Sequence, residues 1–161
     1  MLRTWQGSHA VEWVTLDTDP YRPTKPVELR AFVVEDNPTL RENLVGALEE
    51  LTCVKVVGGC GTEDEGLDWL SNAKNTWDLV IIDLFLKKGS GIRLAQRIVR
   101  QRPTQKVVVF SNYVNASVRK RCAQLGVDAV FDKSTEIDAL VDYCARQCFQ
   151  QSVNTTHPAG A

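Results

Sequence analysis

An excess of either charge is missing from this sequence: 19 Lys and Arg stand against 20 Asp and Glu, a formal net charge of -1. So balanced a chain lacks the broad positive field on which non-specific nucleic-acid binding depends, and direct DNA binding is not expected. Long apolar runs are missing too. No stretch approaches the roughly 20 residues that span a bilayer, and the N-terminus has no charged segment followed by an apolar run of signal-peptide length. The expectation is a soluble, cytoplasmic chain with no membrane partner. Histidine is scarce, and neither His9 nor His157 has the surroundings of a catalytic base. The five cysteines (Cys53, Cys60, Cys122, Cys144 and Cys148) are odd in number and sit inside apolar or helical patterns. Reduced core thiols are therefore expected rather than a disulfide framework. Cys144 and Cys148 share a helical face, but with no further Cys or His nearby in sequence they read as packing, not as metal ligands.

What is present suits one domain with modest extensions: 161 residues, 43% of them hydrophobic. From Glu28 to Phe149, short apolar runs alternate with amphipathic segments, the pattern of a parallel sheet covered by helices on both faces. Strands are expected at Leu29 to Glu35, Cys53 to Val57, Leu79 to Leu84, Lys106 to Phe110 and Ala129 to Phe131. Asn37-Pro38 opens a helix with Leu40, Leu44, Leu48 and Leu51 on one stripe, and Thr62 with Glu65 forms a capping box for the next. Ser90 caps a third, a fourth stops at Gly126, and the last sets Ile137, Leu140, Val141, Cys144 and Cys148 on one face. Gly58-Gly59-Cys60-Gly61 lacks the third glycine of a dinucleotide fingerprint, Asp64 standing there, and reads as a plain strand-to-helix turn. Residues 1–28 differ in texture: Trp5, Trp13, a Val11 to Leu16 segment of strand propensity and a proline-rich stretch from Pro20 to Pro26 read as an extension and linker. Residues 151–161 are small and polar and read as a disordered tail.

In an open parallel α/β sheet, functional groups gather beyond the carboxyl ends of the strands. Strand one ends in Glu35-Asp36, strand three in Asp83 and strand four in Ser111, and strand five meets Lys133. Three carboxylates in a small space repel one another unless a cation compensates. Magnesium fits best, because it takes one or two carboxylates, keeps several waters and leaves a position for a phosphoryl oxygen. A lysine and a hydroxyl nearby complete a phosphoryl-binding set.

These residues fall in five motifs: Val33-Val34-Glu35-Asp36-Asn37, Leu79 to Leu84 around Asp83, Gly91 beyond it, Phe110-Ser111, and Gly126 to Ser134 around Lys133. In that order, from Leu29 to Phe149, the chain resembles the response-regulator receiver family. The resemblance implies a flavodoxin-like strand order 2-1-3-4-5, with residues 29–150 as the receiver domain. It implies Asp83 as phosphoacceptor, Asp36 as a direct magnesium ligand, Glu35 as a supporting carboxylate acting through water and the Phe85 carbonyl as a further ligand. Ser111 would bond the phosphoryl oxygens and Lys133 would pair with them. The module would not be an enzyme, and would take its phosphoryl group from a histidine kinase or histidine phosphotransfer protein. It would act on a downstream protein target as a stand-alone receiver, and a homodimer is compatible with it.

Two positions depart from the family pattern. Lys87 replaces a common proline, which is expected to loosen the acceptor loop, and Val130 replaces a common aromatic, which puts a ring-flip switch in doubt. The signal is expected to leave through the fourth helix, fifth strand and last helix, with Arg119, Lys120, Gln124, Asp142, Tyr143 and Arg146 facing partners. Two alternatives compete. A magnesium-dependent phosphohydrolase with an aspartate nucleophile would carry a second aspartate where Phe85 stands, and a phosphorylation-independent interaction module would have lost some of the five site residues.

Overall fold

The structure is a computed structural model and describes residues 27–156. Five strands, β1 (Leu29–Val34), β2 (Val54–Cys60), β3 (Leu79–Ile82), β4 (Lys106–Ser111) and β5 (Ala129–Asp132), alternate with five helices. The helices are α1 (Pro38–Leu51), α2 (Glu63–Ser71), α3 (Gly91–Gln101), α4 (Ala116–Leu125) and α5 (Ile137–Thr156). Every strand pair is parallel and the order is β2-β1-β3-β4-β5, the flavodoxin-like doubly wound sheet.

Successive strand side chains point to opposite faces, so each inner strand feeds two cores. Ala31, Val33, Leu79, Ile81, Val108 and Phe110 pack against Leu44 and Leu48 of α1 and Leu140 and Cys144 of α5. Phe32, Val34, Val80, Ile82, Val107 and Val109 pack against Leu70 of α2, Leu94 and Ile98 of α3 and Cys122 of α4. Inner strands buried on both faces read as unbroken apolar runs, which is why Leu-Val-Ile-Ile of β3 carries no alternation. The helices start where small polar caps stand. Asn37 Oδ1 accepts from the Leu40 N–H (3.2 Å), Thr62 Oγ1 from Glu65 (3.3 Å) and Asn115 Oδ1 from Val118 (2.9 Å). On α1 the apolar stripe is shorter than expected: Leu44 and Leu48 are buried, while Leu40 and Leu51 face solvent.

Three expectations are corrected. β2 runs on through Gly58, Gly59 and Cys60, so these glycines are not a turn. Its register with β1 shifts between Ala31 and Phe32, and a Cβ on Gly58 would lie 2.8 Å from the Phe32 ring, which stacks on Trp69. Glycine is there to make room. At the other end α5 continues to Thr156, so a helix occupies the first six positions of the expected disordered tail. The extension with Trp5, Trp13, His9 and its proline-rich linker, and the tail beyond residue 156 with His157, lie outside the described residues. No helix among the described residues is long and apolar enough to cross a membrane.

The third correction concerns the cysteines. Cys53, just before β2, and Cys148, on α5, form a disulfide with Cα atoms 5.9 Å apart, across a sequence separation of 95. Closing so long a loop stabilises by about 4.7 kcal/mol through the entropy of the unfolded chain. Burial pushes the Cys60 thiol up to about 11 and the Cys144 thiol to about 12, and raises Cys122, so all three stay protonated at neutral pH. Alkylation of the unfolded, unreduced chain should therefore tag three thiols, and a non-reducing digest should yield a Cys53–Cys148 linked peptide. Five tagged thiols would refute the bond.

Candidate functional site

The sheet's order reverses direction between β1 and β3, and the residues leaving these strands sit side by side. Val34 pairs with Ile82, the Asp83 N–H donates to the Val34 carbonyl (2.9 Å), and so Glu35, Asp36 and Asp83 emerge together. On the far side Ser111 closes β4 and the Lys133 N–H donates to the Ser111 carbonyl (3.0 Å). All five residues picked out at strand ends line one cavity of about 240 Å³, together with Asn37, Leu40, Phe85, Lys87, Asn112 and Tyr113.

Asp83, 8% exposed, has both carboxylate oxygens engaged. Oδ1 accepts from the Ser111 hydroxyl (3.0 Å) and the Phe85 N–H (3.2 Å), and Oδ2 accepts from the Lys133 ammonium (2.8 Å). Lys133 also donates to Glu35 Oε2, whose other oxygen accepts from the Asn37 N–H (3.0 Å). Arg41 donates to the Glu35 carbonyl (2.6 Å). Asp36 Oδ2 accepts from the Lys87 N–H (2.8 Å).

Carboxylate oxygens of Glu35, Asp36 and Asp83 lie within 4.8 Å of one another. Burial raises the Glu35 pKa and the neighbouring Asp83 adds to the rise, against the bonds from Lys133 and Asn37. For Lys133 burial alone would favour the neutral amine, but its bonds to Asp83 and Glu35 outweigh that and hold its pKa above the ordinary lysine value. Lys133 thus brings one positive charge into contact with two of three carboxylates. The remaining negative charge and the all-oxygen donors, open to solvent through the cavity, fit a hard divalent cation.

Features that sequence reasoning missed surround this cluster. Phe85 (56% exposed) and Tyr113 (69% exposed) meet edge to face at 5.1 Å beside the cavity mouth. The Lys87 N–H bonds Asp36, a contact that a proline at this position could not donate. Glu63, which reads in sequence only as a residue inside a capping box, is a buried carboxylate bonded to the acceptor loop. Farther out, Arg119 is held by the Val130 carbonyl (2.8 Å) and Glu136 (2.7 Å). Tyr143 is half-buried with its ring against Phe131. Arg119 is nonetheless exposed, as are Lys120, Gln124, Asp142 and Arg146, whereas Tyr143 is turned partly inward against expectation.

A family model described as "Response regulator receiver domain" matches residues 31–145. The chain is 32% identical over 114 residues to the sensor histidine kinase RcsC of Salmonella typhi, covering 70% of this chain and 12% of that protein. It is 30% identical over 139 residues to protein-glutamate methylesterase/protein-glutamine glutaminase 1 of Caulobacter vibrioides, covering 83% and 40%. The chain therefore spans less than half the length of these curated relatives. Among solved structures, a CheY-like response regulator receiver domain protein from Methanospirillum hungatei superposes with a TM-score of 0.68 at 20% identity, covering 79% of this chain and 98% of that one. At that identity the likeness concerns the fold alone.

Proposed function

The chain belongs to the response regulator receiver family, and from that membership we propose that it is a phosphoacceptor of a two-component or phosphorelay system, modified on Asp83. The observation that supports this most directly is the pairing of a hydroxyl with one oxygen of Asp83 and an ammonium with the other, beside two further carboxylates. Magnesium bound by Asp36 and Asp83, by Glu35 through water and by the Phe85 carbonyl would neutralise the oxygens of the incoming phosphoryl group.

The chain's own groups do the rest. An Asp83 oxygen attacks the phosphorus of a phosphohistidine, a P–O bond forms, the P–N bond breaks, and the departing imidazole nitrogen keeps the electron pair and takes up a proton. Such transfer depends on positioning and charge more than on covalent assistance, so a carboxylate suffices as nucleophile. Lys133, released from Asp83, pairs with the product's charge, and the Ser111 hydroxyl turns from Asp83 to a phosphoryl oxygen. Because Ser111 leads into the segment before α4 and Lys133 directly follows β5, about 1.5 to 2 added negative charges draw on that side of the domain. The output is protein-protein interaction with a downstream target. A hydrolase would need a second acid-base carboxylate two residues past Asp83, and Phe85 offers no proton.

The test uses a small-molecule phosphodonor or a phosphorylated histidine kinase. Magnesium should permit an alkali-labile phosphate on the chain, and chelation or Asp36→Ala should lower its rate of appearance at least about tenfold. No label from any donor would overturn the reading, and a label indifferent to chelation would remove the metal from it.

A further inference from the structure

The loop from Asp83 to Ser90 is tied to the start of α2 as well as to Asp36. Glu63, the first residue of α2, is 8% exposed, and its Oε2 accepts from the Ser90 N–H (2.7 Å) and from the Arg93 guanidinium (2.8 Å). Its own N–H donates to the Lys88 carbonyl (3.2 Å), and Thr62 forms an isolated parallel bridge with Lys88. Gly89 completes the junction with φ +85, and a Cβ there would lie 2.3 Å from the Glu63 Cβ. Glycine both tolerates the left-handed backbone and lets the loop approach. A carboxylate withdrawn from water must be bonded, and Ser90 at the end of this loop and Arg93 on α3 supply those bonds.

We infer that Glu63 is a positioning residue for the phosphoacceptor loop, clamping Lys88–Ser90 onto α2 so that Phe85 and Lys87 stay in register with Asp83 and Asp36. The functional half of this inference rests on the phosphoacceptor reading; the clamp itself does not. Asp83 is fixed at one end by β3 and Ser90 at the other by α3, so the span between them needs a hold of its own. Lys87 on Asp36 supplies one hold and Glu63 another. The clamp works chiefly by reach and by accepting hydrogen bonds, because the Arg93 side chain that pairs with Glu63 is largely exposed and its charge contributes little. Gln keeps the reach and an acceptor without the charge, Asp keeps the charge one methylene too far back, and Ala keeps neither. Any effect of charge at the α2 N-terminus would group Gln with Ala, whereas the clamp groups Asp with Ala.

The experiment compares the wild-type chain with Glu63→Gln, Glu63→Asp and Glu63→Ala, each checked for a cooperative thermal transition. Amide hydrogen exchange of residues 84–90, measured without metal or phosphodonor, should speed up about tenfold in the Asp and Ala variants and stay near wild type in Gln. Magnesium titration by amide NMR should show binding about tenfold weaker in the same two. Labelling by a phosphodonor at saturation should slow with them. Unchanged exchange, or Gln behaving like Ala, would overturn the clamp; faster exchange with metal affinity unchanged would overturn the positioning role. If the wild-type chain took no phosphate, the Asp83 reading would fall while exchange and metal affinity still decided on Glu63. If the Ala variant did not fold, the Asp and Gln pair would carry the same comparison.

Discussion

Asp83→Asn should abolish the phosphate label and leave the fold standing. The amide offers one oxygen where the carboxylate offers two. Turned toward Ser111 and Phe85 it keeps those bonds and faces Lys133 with a donor; turned toward Lys133 it loses the others. Against that loss stands the relief of removing one of three crowded carboxylates. The net change in stability should stay within about 1 kcal/mol, and Lys133 keeps its bond to Glu35. Nucleophilicity has no such compensation, because a neutral amide does not attack phosphorus at a useful rate. Parallel measurement of label and unfolding midpoint separates the two effects. Label persisting on a folded Asn variant would place the acceptor elsewhere.

Gly91→Ala should do the reverse and damage the fold first. A Cβ at this first residue of α3 would lie 1.8 Å from the Asp83 carbonyl oxygen, 2.7 Å from its carbon and 2.8 Å from the Leu84 Cα. All three are backbone atoms, so no side chain can turn aside to admit the methyl group. Either α3 slides or the acceptor loop is displaced, and the Gly91 N–H bond to the Leu84 carbonyl (3.1 Å) is lost either way. Overpacking against such a wall costs about 3 kcal/mol or more. Gly66→Ala is the internal comparison: its Cβ would also fall inside contact distance, at 2.8 Å, but against the end of the Leu94 side chain rather than backbone. It should cost less. Urea unfolding of the two variants should rank them in that order, and labelling of whatever Gly91→Ala protein folds should be slow. Equal midpoints for Gly91→Ala and wild type would mean that the α3 start is looser than the packing implies.

The gathering of Glu35, Asp36, Asp83, Ser111 and Lys133 was legible because parallel topology maps a local cue, the end of an apolar run, onto a shared place in space. Caps were legible for the same reason, since Asn37 and Thr62 act on residues three positions away. What escaped were pairings with no local cue. Glu63 meets partners 27 and 30 residues on, and Cys53 meets Cys148 across 95. Glu63 carried no signal of its own between Thr62 and Glu65, and Cys53 stood at the start of an apolar strand. Gly58 and Gly59 were misread because glycine breaks strands more often than it makes room for a stacked ring beneath one.

The Cys53–Cys148 bond draws a covalent ring around β2, β3, β4 and β5, and leaves β1 outside it. Yet β1 lies between β2 and β3, so the ring by itself cannot form a continuous sheet. Its missing member must be inserted from the free arm that precedes Cys53. That same strand delivers Glu35 and Asp36, while Asp83, Ser111 and Lys133 all travel within the ring. The acidic pair and the residues it serves therefore meet in the step that makes the sheet whole, and an oxidised chain with an unfinished sheet has no assembled site to expose.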